Sequence, residues 1–201
     1  MVGTLSSTGT RLVSLSGNVN HRGVYEVPFG ISIHEIIFSL GGGIPDNRKI
    51  RMVQLGGASG PCIPESMLDL RMDYKEMAEQ GLSMGSGAVI VIDDRFDILD
   101  IVRSTIRFFK RESCGKCTPC REGNRQILRI LHRFANETAT QNDLKLLESL
   151  CGVMNQTSFC GLGQAAPTAL QTTLKYFRQE YKARIKPAIP RSTKVTQEES
   201  A

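Results

Sequence analysis

Three cysteines on a two-residue pitch, Cys114-x-x-Cys117-x-x-Cys120, and a fourth inside Phe159-Cys160-Gly161-Leu162-Gly163 constrain this chain more than any other feature. Three thiols so spaced can occupy adjacent corners of one small inorganic cube, and a remote thiol can close the fourth. The irons of a [4Fe–4S] cluster are held by four cysteine thiolates. Any fold compatible with that reading must return residue 160 to residues 114–120. Zinc is the alternative, because four thiolates also bind it tetrahedrally. Such zinc sites usually come as two separated Cys-x-x-Cys pairs, however. A triple with one distant partner favours the cluster, and with it an electron carrier.

The flanking periodicity supplies the return. Ile98, Ile101, Val102, Thr105 and Phe109 fall at helical spacing, as do Ile127, Ile130, Leu131 and Phe134. Thr140-x-x-Asp143 offers a cap for a third helix bearing Leu144, Leu147, Leu150, Cys151 and Met154. Pro167 stands where a first helical residue should, and Leu170, Leu174, Phe177 and Tyr181 line a fourth. Four such helices predict an antiparallel bundle, in which the first and third loops emerge at the same end. Cys114, Cys117 and Cys120 are expected in the first of those loops and Cys160 in the third. Gly115, Gly161 and Gly163 would let the backbone approach the cluster closely.

Upstream, the period shortens to that of strands. Thr10 to Ser16 and Gly23 to Pro28 read as strands joined by a turn over Asn18–Arg22. Ser32-x-x-Glu35 is a capping box, opening a helix with Ile33, Ile36, Ile37 and Leu40 that Gly41–Gly43 stops. Lys49 to Leu55 returns as a strand, and Ala88 to Ile92 is a continuous apolar run suited to a buried one. The fold class expected is α+β, a small β-grasp (ubiquitin-like) domain followed by a four-helix-bundle cluster domain. Residues 1–9 read as a flexible lead-in, 10–92 as the β-grasp unit, 93–185 as the helical unit and 186–201 as a disordered tail.

Bulk properties exclude several classes. No run of about 18 apolar residues exists to span a bilayer. The N-terminus lacks the charged start, apolar middle and small-residue cleavage site of a secretory signal. Six cysteines, four of them in a metal-like pattern, read as a reducing cytoplasm rather than a disulfide framework. The net charge of +5 is not accompanied by a nucleic-acid-binding motif, and Lys110, Arg111, Lys116, Arg121 and Arg125 can counter a thiolate-bound cluster. Cys151 falls on an apolar stripe, and Cys62 sits in a glycine-rich loop with no identifiable base; both read as plain free thiols. His21, His34 and His132 are isolated from one another. Gly41–Gly43 follows a helix rather than a strand, and Pro61 and Pro64 follow Gly56-Gly57-x-x-Gly60, so both glycine clusters read as turns rather than phosphate cradles.

The block from Glu112 to Gly123, ESCGKCTPCREG, followed by FCGLG at 159–163, closely resembles the cluster domain of the NADH-oxidising flavoprotein subunit of respiratory complex I, of NAD-reducing hydrogenases and of electron-bifurcating hydrogenases. The likeness extends upstream to LSGNVN at 15–20, GVYEVP at 23–28 and GGGIP at 41–45, and covers roughly residues 10 to 185. GGASGPCIP at 56–64 looks more like the hydrogenase-linked branch, although Ala58 and Pro61 depart from that branch's GGPSGGCIP. The resemblance implies that Cys114, Cys117, Cys120 and Cys160 hold a cluster taking single electrons from reduced flavin, with Gly161 and Leu162 facing that flavin. It also implies a preceding FMN- and NADH-binding domain with a GRGGxGFP loop, which nothing in this sequence matches. The chain thus reads as the C-terminal half of such a subunit, as a separate protein or a truncated one, relaying electrons without oxidising NADH alone. The partners implied are a flavin/NADH-binding domain or subunit, a 2Fe–2S thioredoxin-like subunit and other iron–sulfur subunits. The setting implied is cytoplasmic or peripheral to a membrane complex.

Overall fold

A computed structural model of the 201-residue chain describes residues 2–186. The architecture is mixed α/β, a five-stranded sheet with a set of helices packed against it. The strands are β1 (Thr10–Gly17), β2 (Gly23–Pro28), β3 (Ile50–Leu55), β4 (Cys62–Ile63) and β5 (Ala88–Asp93). Their order across the sheet is β2-β1-β5-β3-β4. β1 pairs antiparallel with β2 (Thr10 opposite Pro28) and parallel with β5 (Ser14 opposite Ala88). β3 runs antiparallel to both β5 (Val53 opposite Val91) and β4 (Val53 opposite Ile63).

The apolar run in β5 has a direct physical reason. Successive side chains in a strand point to opposite faces, and both faces of this central strand are covered. Val89 and Val91 join the core beneath the first helix, while Ile90 and Ile92 turn toward the later helices. Strands buried on both sides lose their polar alternation.

The capping box at Ser32 forms as expected: the Ser32 hydroxyl accepts from the Glu35 N–H at 3.1 Å, and a Glu35 carboxylate oxygen accepts from the Ser32 N–H at 3.0 Å. The helix it opens departs from expectation. Only α1 (Ile33–Glu35) is α-helical, and the chain then widens into a π turn over Ile36–Leu40. Ile33, Ile36 and Ile37 are nevertheless fully buried. A further short helix, α2 (Tyr74–Glu79), was not expected; the Asp73 carboxylate caps it, accepting from the Lys75 and Glu76 N–H groups. The lead-in expected to be flexible is held in place. Ser6 donates to Asp73 at 2.8 Å, Thr4 donates to the same carboxylate, and the Tyr74 N–H donates to Ser7.

Three long helices follow: α3 (Ile98–Glu112), α4 (Thr118–Ala135) and α5 (Gln141–Thr157). The fourth expected helix is instead three short ones, α6 (Gly161–Ala165), α7 (Thr168–Tyr176) and α8 (Arg178–Lys182). Pro167 precedes α7 as its cap rather than standing at its first position, and Phe177 (φ −121°, ψ 31°) breaks α7 from α8. Phe134 and Tyr181 meet edge to face, 5.7 Å between ring centres, in the middle of the helical core. The Cys62 N–H donates to Thr172 Oγ1 at 2.9 Å, and Arg51 pairs with Glu180 at 2.7 Å, joining the sheet to α7 and α8. The tail expected from 186 onward lies outside the described residues, apart from Lys186, whose N–H donates to the Ala139 carbonyl. Among the described residues, no helix is long and apolar enough to cross a membrane.

Candidate metal centre

The cysteine triple begins where α3 runs out. Ser113 leaves the helix with an extended backbone, and Gly115 takes φ +77°, a left-handed turn that glycine adopts without a Cβ penalty. Arg121 reaches back to clasp this turn, donating to the Gly115 carbonyl at 2.6 Å. Cys117 is the N-cap residue of α4, and Pro119 fills an early helical position where no N–H is needed. Cys120 therefore lies inside the first turn of α4, not in the preceding loop as expected. Cys117 and Cys120 are buried, whereas Cys114 is exposed.

Cys160 is also exposed and is the N-cap residue of α6. Ser158 ends α5, and Gln164 braces the turn by donating from its side chain to the Ser158 carbonyl at 3.0 Å. Between them, Phe159 stands 78% exposed, an apolar ring facing out beside a thiol.

Two observations bring the cysteine loops together. The Phe159 backbone N–H faces the Cys117 thiol closely enough to favour its ionised form. With the Cys120 and Cys117 N–H groups and the Arg121 charge behind it, that N–H holds the Cys117 thiol below its ordinary pKa. In addition, α6 lies directly on the first turn of α4. A Cβ added at Gly163 would meet Cys120 Cβ at 2.9 Å and Ser158 Cβ and Oγ at 2.7 Å. Cys117, Cys120 and the Cys160 loop thus share one neighbourhood, while no bond among the described residues ties the Cys114 sulfur to them. Among the described residues, no group of three or more His, Cys, Asp or Glu side chains is arranged as ligands of a single metal ion.

The neighbours of Cys120 carry a second layer that the sequence did not announce. Ser113 Oγ lies 3.3 Å from Cys120 Sγ, and Asn124 Nδ2 lies 3.7 Å from it while donating to the Cys120 carbonyl at 2.8 Å. Asn124 and Ser158 are buried, and Asn124 Oδ1 and Ser158 Oγ meet no hydrogen-bond partner. Asn124 stands one turn beyond Cys120 on the buried stripe of α4, an offset that could have marked it; Ser158 carries no comparable signal. Four thiols, polar groups near one sulfur and unmatched buried oxygens fit a sulfur-bound inorganic group that ordinary core packing would not require.

The other thiols behave as hydrophobes. Burial pushes both Cys62 and Cys151 up to about 12, so neither is a thiolate near neutrality. Cys62 lies in strand β4 rather than in a loop. The glycine clusters form turns: Gly56 and Gly57 have positive φ, and the Gly60 N–H donates to the Gly57 carbonyl.

Residues 100–184 match the family described as the NADH-ubiquinone oxidoreductase-F iron-sulfur binding region. This segment belongs to that family. The segment's cofactor is accordingly a [4Fe–4S] cluster. The chain is 39% identical over 184 residues to the NADP-reducing hydrogenase subunit HndC of Solidesulfovibrio fructosivorans, covering 92% of this chain and 38% of that protein. It is 41% identical over 184 residues to an NADH-quinone oxidoreductase subunit of Rhizobium meliloti, covering 92% of this chain and 44% of the relative. It spans well under half the length of these curated relatives. A solved structure of NAD+-reducing [NiFe]-hydrogenase in the H2-reduced state superposes with a TM-score of 0.81 at 32% identity, over 93% of this chain and 31% of that one. Relatives of the hydrogenase and quinone-oxidoreductase kinds match at nearly equal identity.

Proposed function

We propose that Cys114, Cys117, Cys120 and Cys160 hold one [4Fe–4S] cluster. Through it the chain relays single electrons from the NADH-reduced flavin of a partner domain or subunit to downstream iron–sulfur centres of an NADH dehydrogenase or NAD-linked hydrogenase. The observation that carries this reading is the packing of α6, which follows Cys160, on the first turn of α4, where Gly163 approaches Cys120 so closely that an added Cβ would lie 2.9 Å from Cys120 Cβ. When bound, the cluster supplies one-electron chemistry, matching a flavin that receives two electrons as hydride.

The chain's own residues prepare the position. The amides at the start of α4 favour negative sulfur at Cys117. The Ser113 hydroxyl and the Asn124 amide stand where they can donate to Cys120 sulfur. Gly163 keeps α6 close enough to close the site from above. Exposed Phe159, Cys160 and Cys114 leave one side of it open to a flavin-bearing partner. The sheet unit over 10–92 reads as a β-grasp of the soluble-ligand-binding type and the helices over 93–185 as a four-helix cluster domain. A 2Fe–2S thioredoxin-like subunit is among the partners this assignment implies.

Anaerobic purification of the chain tests the assignment. The outcome expected is brown protein with about four irons and four sulfides, visible absorbance that bleaches with dithionite, and a paramagnetic resonance signal on reduction. Cys117→Ser should lose most of the iron. Colourless protein rich in zinc, unchanged by dithionite, would replace the relay with a structural module built on a four-cysteine zinc site. FMN bound to the isolated chain would show that NADH oxidation does not belong elsewhere.

A further inference from the structure

Beside the cysteine end, α3 and α4 enclose an open groove of about 780 Å3 with cationic walls. α3 contributes Arg103, Arg107, Lys110 and Arg111, and α4 contributes Arg125 and Arg129. Each wall carries a cation at nearly every turn, and the α3 wall runs about 12 Å at 1.5 Å per residue. Like charges at i, i+4, as in Arg103, Arg107 and Arg111 or in Arg125 and Arg129, destabilise a helix. The fold does little to offset this. Arg103 pairs with Asp100 at 3.0 Å and Arg125 with Glu122 at 3.1 Å. Arg107, Lys110, Arg111 and Arg129 form no ion pair among the described residues.

Countering the charge of the cluster does not account for the far end of this groove. Arg129 lies nine residues along α4 from Cys120, about 14 Å of helical rise, and Arg103 is equally far from the end of α3. Screening at physiological salt cuts such interactions off within about 8 Å. Lys116 within the triple and Arg121 at the start of α4 lie closer to the sulfurs, and the Arg121 charge already acts on Cys117.

We propose that this groove docks an acidic helix on the surface of a redox partner protein, resting on the electron-relay reading above. A single phosphate gathers its donors onto one point, whereas these walls spread cations along two rails. A nucleic-acid strand favours aromatic stacking platforms, and no aromatic ring other than the His132 imidazole lines the groove. A helix with a carboxylate on every turn matches the one-turn pitch of the walls, and guanidinium groups grip carboxylates bidentately. Position adds to the case. Arg111 precedes Cys114 by three residues, at most about 11 Å of extended chain, so a partner seated here lies beside the cluster loop.

The probe is a fluorescein-labelled helical peptide with glutamates at i, i+4 spacing, titrated by anisotropy against the full iron-loaded chain. The wild type should bind at low salt, and Arg107→Glu/Arg129→Glu should weaken binding by on the order of tenfold or more. Lys145→Glu/Lys182→Glu, an equal charge change on other helices, should leave binding within twofold. Equal losses in both variants would reduce the effect to net charge and overturn the proposal. So would displacement of the peptide by an equimolar single-stranded oligonucleotide or by inorganic tripolyphosphate. Iron content and the reduced resonance spectrum are recorded on each protein. Iron-loaded chain that ignores the peptide defeats the groove and spares the relay. Iron-free chain that still binds through Arg107 and Arg129 supports the groove while the relay fails.

Discussion

In β1 and β5 the buried side chains are Val13, Leu15, Val89, Val91 and Ile92, together with the Asp93 carboxylate, which Arg95 pairs at 2.6 Å. At the cysteine end of α4 and α5 the buried set includes Asn124 and Ser158, each with an oxygen that meets no partner. The sheet unit also has unmatched atoms, the Nε groups of Arg11 and Arg51, but these belong to part-exposed side chains whose other nitrogens are bonded. An unsatisfied buried polar group costs about 1–3 kcal/mol. The difference teaches that the sheet closes its interior from its own sequence, whereas the cysteine end carries polar atoms best explained by something it binds.

The largest effect expected would break the comparison from the helical side. Phe134→Ala removes a fully buried ring packed on Tyr181 and should cost about 3–5 kcal/mol in urea unfolding. Hydrogen exchange should then show α4, α5 and α7 opening before β1, β3 and β5. A simultaneous loss of protection in the sheet would mean that the two regions fold as one unit. Next in size is Gly163→Ala. Its methyl would sit 2.9 Å from Cys120 Cβ, and overpacking of this kind costs about 1–3 kcal/mol. Because that clash lies beneath a cysteine proposed as a ligand, iron per chain should fall with stability. Full iron retention would show that α6 can shift without disturbing the site.

Sequence periodicity reached the sheet and the long helices because both rest on repeated contacts. β2 was legible to the residue, and the Thr140 capping box formed as its spacing demands. Shorter elements carry too few repeats. α2 buries only Met77, so no apolar stripe exists to read. The break at Phe177 was invisible for the opposite reason: Leu170, Leu174, Phe177 and Tyr181 keep helical phase across it. At the candidate site, spacing alone is enough to propose the four cysteines, but the placement of Ser113, Asn124 and Ser158 around Cys120 depends on which helices meet. Packing of α6 on α4 is a tertiary fact with no one-dimensional trace.

Ser158→Ala should act in the opposite direction to the changes above, and by less. In iron-free protein the substitution removes a buried hydroxyl with no partner, so the chain should gain on the order of 1 kcal/mol in urea unfolding. In iron-loaded protein the gain should vanish or reverse, since the hydroxyl then has sulfur to donate to. An equal gain in both forms would mean that Ser158 faces nothing the cluster supplies, and the contrast between the two regions would lose half its support.

The smallest effect belongs to the sheet unit and appears only in acid. Asp73 is held well below the usual carboxylate range, first by the Thr4 hydroxyl, then by the Glu76 N–H and the Ser6 and Ser7 hydroxyls, against the opposing pull of burial. A carboxyl that sheds its proton more readily when folded favours the folded state above its unfolded pKa, near 3.9, and that advantage drains away as pH falls toward the lower folded value. Asp73→Asn should therefore lower the urea midpoint at pH 6, while the difference from wild type narrows steadily below about pH 4. The same substitution should loosen residues 2–9, which Asp73 ties to the start of α2, without changing iron content. A midpoint difference that persists unchanged to pH 2 would assign the effect to lost packing rather than to charge. Iron lost at pH 6 would mean that the sheet unit's acidic anchor and the cysteine end are coupled after all.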